Sequence, residues 1–123
     1  RRANDTLYAD QSLYTNQSIS SRNGRYFLIM QGDCNLVLYR EGFRGNNQAL
    51  WSTRTDRRGR NCRAIMQSDG NFVVYEEYGR PVFNTRTDRN PGSILVLQDD
   101  GNLVMYQGNR VMWASNTNER FPR

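Results

Sequence analysis

The fold of this chain is decided by residues 67–75, whose sequence is Gln-Ser-Asp-Gly-Asn-Phe-Val-Val-Tyr, because this pattern occurs three times. The other two copies run from Gln31 to Tyr39 and from Gln98 to Tyr106. Gln, Asp, Asn, Val and Tyr occupy alternate positions in every copy, while the residues between them vary. Such agreement does not arise by chance in 123 residues. We therefore predict three similar units that carry the same set of chemical groups.

Each copy lies inside a unit that we predict to be a three-stranded antiparallel meander. The three repeats cover about residues 25–55, 61–87 and 93–117. Asp-Gly and Gly-Asn pairs separate the short apolar runs, and both pairs tolerate the positive φ of tight hairpin turns. The predicted strands are 26–30, 35–40 and 49–53, then 62–66, 71–76 and 81–85, then 94–97, 102–107 and 111–115, with two further short strands at 6–9 and 12–15.

The last strand of each unit carries a large aromatic residue, which is followed four positions later by Thr. The aromatics are Trp51, Phe83 and Trp113, and the threonines are Thr55, Thr87 and Thr117. A single three-stranded unit is too thin to bury its apolar face alone. We therefore expect one all-β domain over residues 1–123, in which three units close around a shared axis and the aromatics meet at the centre.

Strand alternation divides the side chains of each motif between two faces of its sheet. The apolar residues between the repeated positions are expected to point into the core: Leu36 and Leu38, Phe72 and Val74, Leu103 and Met105. The repeated Asn, Val and Tyr are expected to point outward, and the turn brings the Asp and Gln to the same patch. Each unit would then expose one carboxylate, two amides, one phenol and one small apolar group.

The composition of the chain excludes several classes of function. There is no His, and all seventeen basic residues are Arg. Without His, the usual general base near neutral pH and the commonest transition-metal ligand are missing. The outward groups also contain no nucleophile–base pair and no catalytic pair of carboxylates. We therefore expect no enzyme activity, no metal and no cofactor, and instead a ligand rich in hydroxyl groups, since these side chains both donate and accept hydrogen bonds.

The cysteines and the hydropathy indicate the cellular compartment of the protein. Cys34 and Cys62 are an even pair in a small β-rich chain, which predicts one disulfide and an oxidising compartment. No apolar run reaches membrane-spanning length, so no membrane insertion is expected. We see no charged-then-apolar leader, and expect a signal peptide to be absent or removed. Sequons at Asn4 and Asn16 are compatible with secretion.

The triple motif, together with the Trp strands, resembles the monocot mannose-binding lectins, the bulb-type or snowdrop-like family. The likeness spans roughly residues 5–118. It implies a β-prism II fold, with three antiparallel four-stranded sheets and pseudo-threefold symmetry. It also implies metal-independent binding of α-D-mannose and high-mannose glycans at up to three sites, acting multivalently. Expected partners are mannose-containing glycans and glycoproteins, and the protein is expected to be secreted.

The resemblance also implies a role for each repeated residue. Asp33, Asp69 and Asp100, with Asn35, Asn71 and Asn102, would bind the axial 2-hydroxyl of mannose. Gln31, Gln67 and Gln98 would contact the 3-hydroxyl, and Tyr39, Tyr75 and Tyr106 the 4-hydroxyl. Val37, Val73 and Val104 would pack against the sugar ring. The family disulfide falls at Cys34 and Cys62.

Further expectations from the family concern assembly and biological role. A homodimer or homotetramer is expected, with residues 108–118 able to exchange between subunits. The sequence leaves open whether binding serves defence, toxicity towards microbes or storage. The loop between Tyr39 and Trp51 is longer than its equivalents. If one site is altered, we expect it to be the first.

An alternative hypothesis keeps the same fold without sugar binding. The net charge is +5, and segments 54–60 and 86–89 are rich in Arg. This surface could bind polyanions or protein partners, with Arg57, Arg58, Arg60 and Arg63 as the candidate residues. Nearby Asp56 and Asp88 offer local pairing, and no nucleic-acid motif is present, so nucleic acid is not an expected partner.

Overall fold

The computed structural model describes residues 4–119, which form twelve β-strands and one short 3₁₀ turn at Phe43–Gly45. The strands are β1 Thr6–Leu7, β2 Ser12–Leu13, β3 Ser18–Ser20, β4 Tyr26–Met30, β5 Leu36–Arg40, β6 Gln48–Ser52, β7 Arg63–Met66, β8 Phe72–Tyr75, β9 Pro81–Asn84, β10 Ile94–Leu97, β11 Leu103–Gln107 and β12 Arg110–Ala114. Within residues 4–119, no helix is long and apolar enough to cross a membrane.

The strands assemble into three four-stranded sheets in the orders β3-β4-β5-β6, β2-β7-β8-β9 and β1-β10-β11-β12. Each sheet contains one of the predicted meanders, and the strand pairs are antiparallel. The fourth strand comes from the N-terminal segment, which passes all three sheets in turn. The expected architecture of three antiparallel four-stranded sheets is confirmed.

The core lies between the inner faces of the three sheets. The predicted inward residues of the motifs are fully buried, and Leu7, Leu13 and Ile19 from the N-terminal strands join them. Apolar side chains therefore alternate inward along each central strand. No buried side-chain N or O atom among residues 4–119 lacks a hydrogen-bond partner. The expected inward face of each motif is confirmed.

The three aromatics of the last strands meet as expected, but edge to face rather than stacked. The ring centroid of Trp51 lies 5.9 Å from that of Phe83 and 5.4 Å from that of Trp113, at interplanar angles of 77° and 69°. All three side chains are only partly buried and pack against the core. Since β6, β9 and β12 are edge strands of their sheets, this cluster covers one end of the prism.

The residue after each motif Asp forms the junction with a neighbouring unit. Cys34, Gly70 and Gly101 all have positive φ, at 78°, 94° and 92°. Cys34 is bonded to Cys62, so the expected disulfide is confirmed. A Cβ on Gly70 would lie 2.2 Å from the carbonyl oxygen of Asn90, so only glycine fits.

The third junction uses a tyrosine instead of a disulfide. Tyr26 is fully buried, and a Cβ on Gly101 would lie 2.9 Å from its ring. Its hydroxyl donates to Glu119, whose carboxylate also pairs with Arg40 at 2.5 Å. Burial, and then the hydrogen bond to Glu119, raise the pKa of Tyr26 to about 12.

Candidate functional site

The second unit shows how the strands position the repeated residues. Gln67 follows β7, Asp69 lies in the turn, and Asn71 immediately precedes β8. Val73 and Tyr75 occupy alternate positions of β8, so they share the outer face of the sheet. A one-residue bulge falls between Val74 and Tyr75, and the same irregularity precedes the motif tyrosine in the other two sheets.

A chain of hydrogen bonds links the phenol, the amide and the carboxylate of the second motif. The Tyr75 hydroxyl donates to Gln67 Oε1 at 2.5 Å. Gln67 Nε2 lies 3.1 and 3.3 Å from the two carboxylate oxygens of Asp69. The backbone N–H of Asn71 donates to Asp69 Oδ1 at 2.9 Å, which closes the turn. The four polar residues of the motif therefore form one hydrogen-bonded group rather than separate surface side chains.

The orientation of the Asn71 amide is set by the segment that follows β9. Its Oδ1 accepts hydrogen bonds from Thr85 Oγ1 at 3.3 Å and from the backbone N–H of Thr87 at 3.2 Å. The two threonine hydroxyls are 2.7 Å apart, and Thr87 Oγ1 donates to the carbonyl of Gly70 at 2.6 Å. Because the oxygen is committed to the protein, the Nδ2 group remains to donate outward.

The same network recurs at the other two sites. Asn35 Oδ1 accepts from Thr53 and Thr55, and Asn102 Oδ1 accepts from Ser115 and Thr117. Sequence reasoning found the threonines at 55, 87 and 117 but gave them no function, and it missed Thr53, Thr85 and Ser115. The signal was present, since a hydroxyl residue stands two positions after each of the three aromatics.

The third site differs from the first two in the orientation of its glutamine. Tyr39 donates to Gln31 Oε1 at 2.5 Å, as Tyr75 does to Gln67. In the third site Gln98 Nε2 instead donates to the Tyr106 hydroxyl, also at 2.5 Å. A half-turn of the amide converts one pattern into the other, so the same side chains can adopt both. The phenol can therefore act as donor or acceptor towards a ligand.

The valines do not form the exposed apolar spot predicted from strand alternation. Val37, Val73 and Val104 lie on the outer face, yet each side chain is only 3% exposed. The expectation of an exposed valine was therefore wrong, although its direction was right. Each valine therefore offers almost no apolar surface to a ligand.

The surface around these clusters is shallow. A groove of about 470 Å³ runs beside the third site and is lined in part by Asp5, Arg22 and Asp99 together with Gln98 and Asp100. Residues 4–119 contain no group of three or more His, Cys, Asp or Glu side chains that could hold a metal ion.

The long loop after Tyr39 does not join the first cluster. Its hydrogen bonds run from Glu41 N–H to the Arg25 carbonyl and within the loop itself, as from Gly42 N–H to Asn47 Oδ1. Phe43, at the tip, is 82% exposed. The first and second clusters share one hydrogen-bond pattern, so alteration of the first site stays a prediction.

The sequence and the fold of this chain are similar to those of known lectins. No protein-family model matches the chain. A mannose-specific lectin from Aloe arborescens is 41% identical over 113 residues, which are 90% of this chain and 95% of the relative.

Two solved structures resemble the whole fold. A monomeric monocot mannose-binding lectin from Gastrodia elata shares 41% identity and a TM-score of 0.81, over 93% of this chain and 98% of that one. The snowdrop (Galanthus nivalis) agglutinin, solved with methyl α-D-mannoside, shares 35% identity and a TM-score of 0.76, over 94% and 98% of the two chains.

Proposed function

Because this chain belongs to the monocot mannose-binding lectin family, with its β-prism II fold, we propose that it binds α-D-mannosides through the three outward clusters. High-mannose glycans and glycoproteins are the natural ligands of this proposal. Binding at three separated sites on one chain would give the protein its activity through avidity.

One observation supports the proposal above the others: the amide nitrogen and the carboxylate of each motif are both held ready for one hydroxyl. The oxygen of Asn71 is occupied by Thr85 and Thr87, so its N–H donors are free, while Asp69 retains acceptor capacity beyond its turn. An axial 2-hydroxyl both donates and accepts, so it satisfies this pair. The equatorial 2-hydroxyl of glucose points elsewhere, which leaves the carboxylate or the amide without a partner once the sugar covers it and disfavours glucose.

The proposed binding requires no metal and includes no catalysis. Each set of five repeated residues contains a single carboxylate and no nucleophile activated by a base. The site therefore lacks the groups needed to cleave a bound glycan. Mannose retention is therefore expected to survive a chelator, and mannosides are expected to be recovered intact.

The test exploits an isosteric substitution. The triple variant Asp33→Asn, Asp69→Asn and Asp100→Asn keeps an oxygen for the turn but removes the carboxylate, and we expect it to lose retention on a mannose resin. The control carries Asp56→Asn and Asp88→Asn, two exposed carboxylates outside the motifs. Circular dichroism checks that both variants fold. Retention of the triple variant, or failure of the wild type to bind any mannoside at millimolar concentration, would contradict the proposal.

Assembly and localisation are part of the same proposal. We expect a homodimer or homotetramer, because Leu50, Val82 and Met112 lie partly exposed beside the aromatic cluster at one end of the prism. Here β12 pairs with β11 of the same chain, so its exchange between subunits requires unpairing. The Gastrodia elata lectin is monomeric, so the family does not require association. Light scattering after size-exclusion chromatography measures the oligomeric state.

The Cys34–Cys62 disulfide supports the proposal that the protein is secreted, because disulfides form in oxidising compartments.

The polyanion-binding alternative draws no support from the relatives described above. The Aloe arborescens relative is named a mannose-specific lectin, and the Gastrodia elata protein a mannose-binding lectin. Asp56 and Asp88 make no ion pair within the described part of the chain, where the pairs instead join Arg22 to Asp5, Arg40 to Glu119 and Arg80 to Glu76.

A further inference from the structure

The three clusters differ at the position that faces the motif tyrosine on the adjacent strand. Phe27 pairs with Tyr39 on β4, Arg63 with Tyr75 on β7, and Ile94 with Tyr106 on β10. These neighbours lie on the outer face, because the alternate residues of the same strands are buried in the core. One site therefore has an aromatic flank, one a cationic flank and one an aliphatic flank.

The cationic flank is closely attached to the second cluster. The guanidinium carbon of Arg63 lies over the Tyr75 ring, 5.2 Å from its centroid. The side chain is partly exposed, so its outer donors face solvent. No carboxylate among residues 4–119 lies within 4.0 Å of it, whereas Arg80, at the end of the same sheet, is paired with Glu76. The stacking positions the guanidinium without using its N–H groups.

The acidic residues of the second repeat, residues 61–87, have other partners. Glu76 is buried and accepts the Arg80 backbone N–H at 3.0 Å. Glu77 accepts from the side chain of Asn61, and Asp69 accepts from Gln67 and Asn71. Arg63 is thus left with its positive charge and its hydrogen-bond donors available at the edge of the cluster.

We propose that the Gln67–Tyr75 site binds mannosides carrying a phosphate or sulfate on the 6-oxygen, with Arg63 as the residue that determines this preference. The inference rests on the proposed function, in which Tyr75 contacts the 4-hydroxyl of mannose. The carbon that bears the hydroxymethyl group is next to that hydroxyl on the ring, so its substituent lies on the tyrosine side. A guanidinium binds two oxygens of a phosphate or sulfate at once.

The internal repeat provides matched controls for this proposal. Arg63→Ile gives the second site the flank of the third, and Ile94→Arg gives the third site the flank of the second. Neither residue belongs to the five repeated positions, so binding of neutral mannoside is expected to be unchanged in both variants.

The experiment isolates each site in the full-length chain. Asp33→Asn with Asp100→Asn leaves the second site alone, and calorimetric titrations use methyl α-D-mannoside, its 6-phosphate and its 6-sulfate at low and high salt. We expect about tenfold tighter binding of the charged ligands at low salt, from one charge-assisted pair. High salt should reduce this preference, and Arg63→Ile should abolish it. In a third-site background made with Asp33→Asn and Asp69→Asn, Ile94→Arg should create it.

Equal affinity for neutral and charged mannosides at the second site would overturn the inference and leave the proposed function intact. A preference that survives Arg63→Ile would also overturn it, because another cation would then be responsible. If the wild type binds none of these mannosides, the proposed function itself would be contradicted. If a single-site variant does not fold, Arg63→Ile in the intact chain tests the same point, through a lower ratio of charged to neutral affinity.

Discussion

At the scale of single residues, the motif asparagine depends on hydroxyl groups in the segment that follows the last strand of its unit. Thr85 and Thr87 occupy the amide oxygen of Asn71 and thereby fix which end of the amide faces outward. The pair of hydroxyls is itself anchored to the Gly70 carbonyl. A free surface asparagine would rotate between two orientations, and only one of them would offer N–H donors to a hydroxyl ligand. This arrangement pre-organises the site.

Asn71→Asp tests this dependence, because the carboxylate keeps the acceptor for Thr85 and Thr87 but loses the outward donors. It also places a second negative charge beside Asp69. We expect mannoside affinity at the second site to fall about tenfold to hundredfold, the cost of a lost donor and a like-charge neighbour. Titration in the Asp33→Asn, Asp100→Asn background measures this. Asn109→Asp, in an exposed turn, is the control, and unchanged affinity in Asn71→Asp would contradict the assignment.

Cys34 is strained in a way that its two counterparts are not. It has a φ of 78°, in the left-handed region, where the equivalent residues are Gly70 and Gly101. A residue with a Cβ pays roughly 1–2 kcal/mol for that conformation. The disulfide to Cys62, which closes a loop of sequence separation 28, offsets this cost by stabilising about 3–4 kcal/mol in the chain-entropy model.

Two double variants separate these effects. Cys34→Ala with Cys62→Ser loses the disulfide and keeps the strain, whereas Cys34→Gly with Cys62→Ser loses both. We expect each to lower the free energy of unfolding by a few kcal/mol, with the glycine variant more stable than the alanine variant by about 1 kcal/mol. Urea unfolding measures both. Equal stability of the two variants would show that the positive φ carries no cost here.

At the scale of secondary-structure elements, strands in the three meanders could be predicted, while the N-terminal strands were predicted only in part. The segments 26–30 and 94–97 match β4 and β10 because apolar alternation and Asp-Gly turns are local signals. β3, at Ser18–Ser20, was missed, and β1 and β2 contain only two residues each. A strand this short is stable only because it pairs with the edge of a sheet formed by distant residues. The local sequence carries no signal for that pairing.

Each sheet also contains a bulge that the sequence pattern did not predict. A register shift precedes each motif tyrosine, so Leu50, Val82 and Met112 become unpaired residues on the last strands. Alternation alone could not locate this extra residue. The fold brings the repeated residues of each motif together, as the sequence predicted. The burial of the valine could not be predicted, because it depends on tertiary packing.

The junction made by Tyr26 gives the fold a dependence on alkaline pH. The pKa of Tyr26 is raised to about 12, above the ordinary value of 10.0. The neutral phenol therefore contributes stability that is fully present below pH 10 and is lost as pH rises towards 12. The chain has no Lys or His, so tyrosines are the side chains that titrate in this window.

Tyr26→Phe removes the titrating group and the hydrogen bond to Glu119. At pH 8 we expect a loss of about 1 kcal/mol in the free energy of unfolding. Between pH 10 and 12 the wild type should lose stability more steeply than the variant. Urea unfolding followed by Trp fluorescence compares the two curves, with Tyr14→Phe, at a 56% exposed tyrosine, as the control. Parallel curves for wild type and Tyr26→Phe would exclude this role for the junction.

At the scale of the whole molecule, the pseudo-threefold arrangement points the three clusters in different directions. Each motif lies on the outer face of a separate sheet, and the sheets enclose one core. No two clusters can therefore converge on a single sugar residue. A branched glycan or a surface carrying many glycans can engage several clusters, because a first contact raises the effective concentration for the next.

This geometry predicts that valency, rather than affinity at one site, determines how long the protein stays on a glycoprotein. The single-site variant Asp33→Asn with Asp100→Asn should bind methyl α-D-mannoside at its remaining cluster as the same cluster does in the wild type. On immobilised high-mannose glycoprotein, however, it should dissociate about a hundredfold faster, since avidity commonly contributes ~10²–10⁴. Asp56→Asn with Asp88→Asn controls for the loss of two negative charges.

If the single-site variant still cross-links soluble glycoprotein, association between copies of the chain must supply the second site. Light scattering at the same concentration would then reveal the dimer or tetramer. Equal dissociation rates for a variant that is monomeric would show that the clusters do not act together.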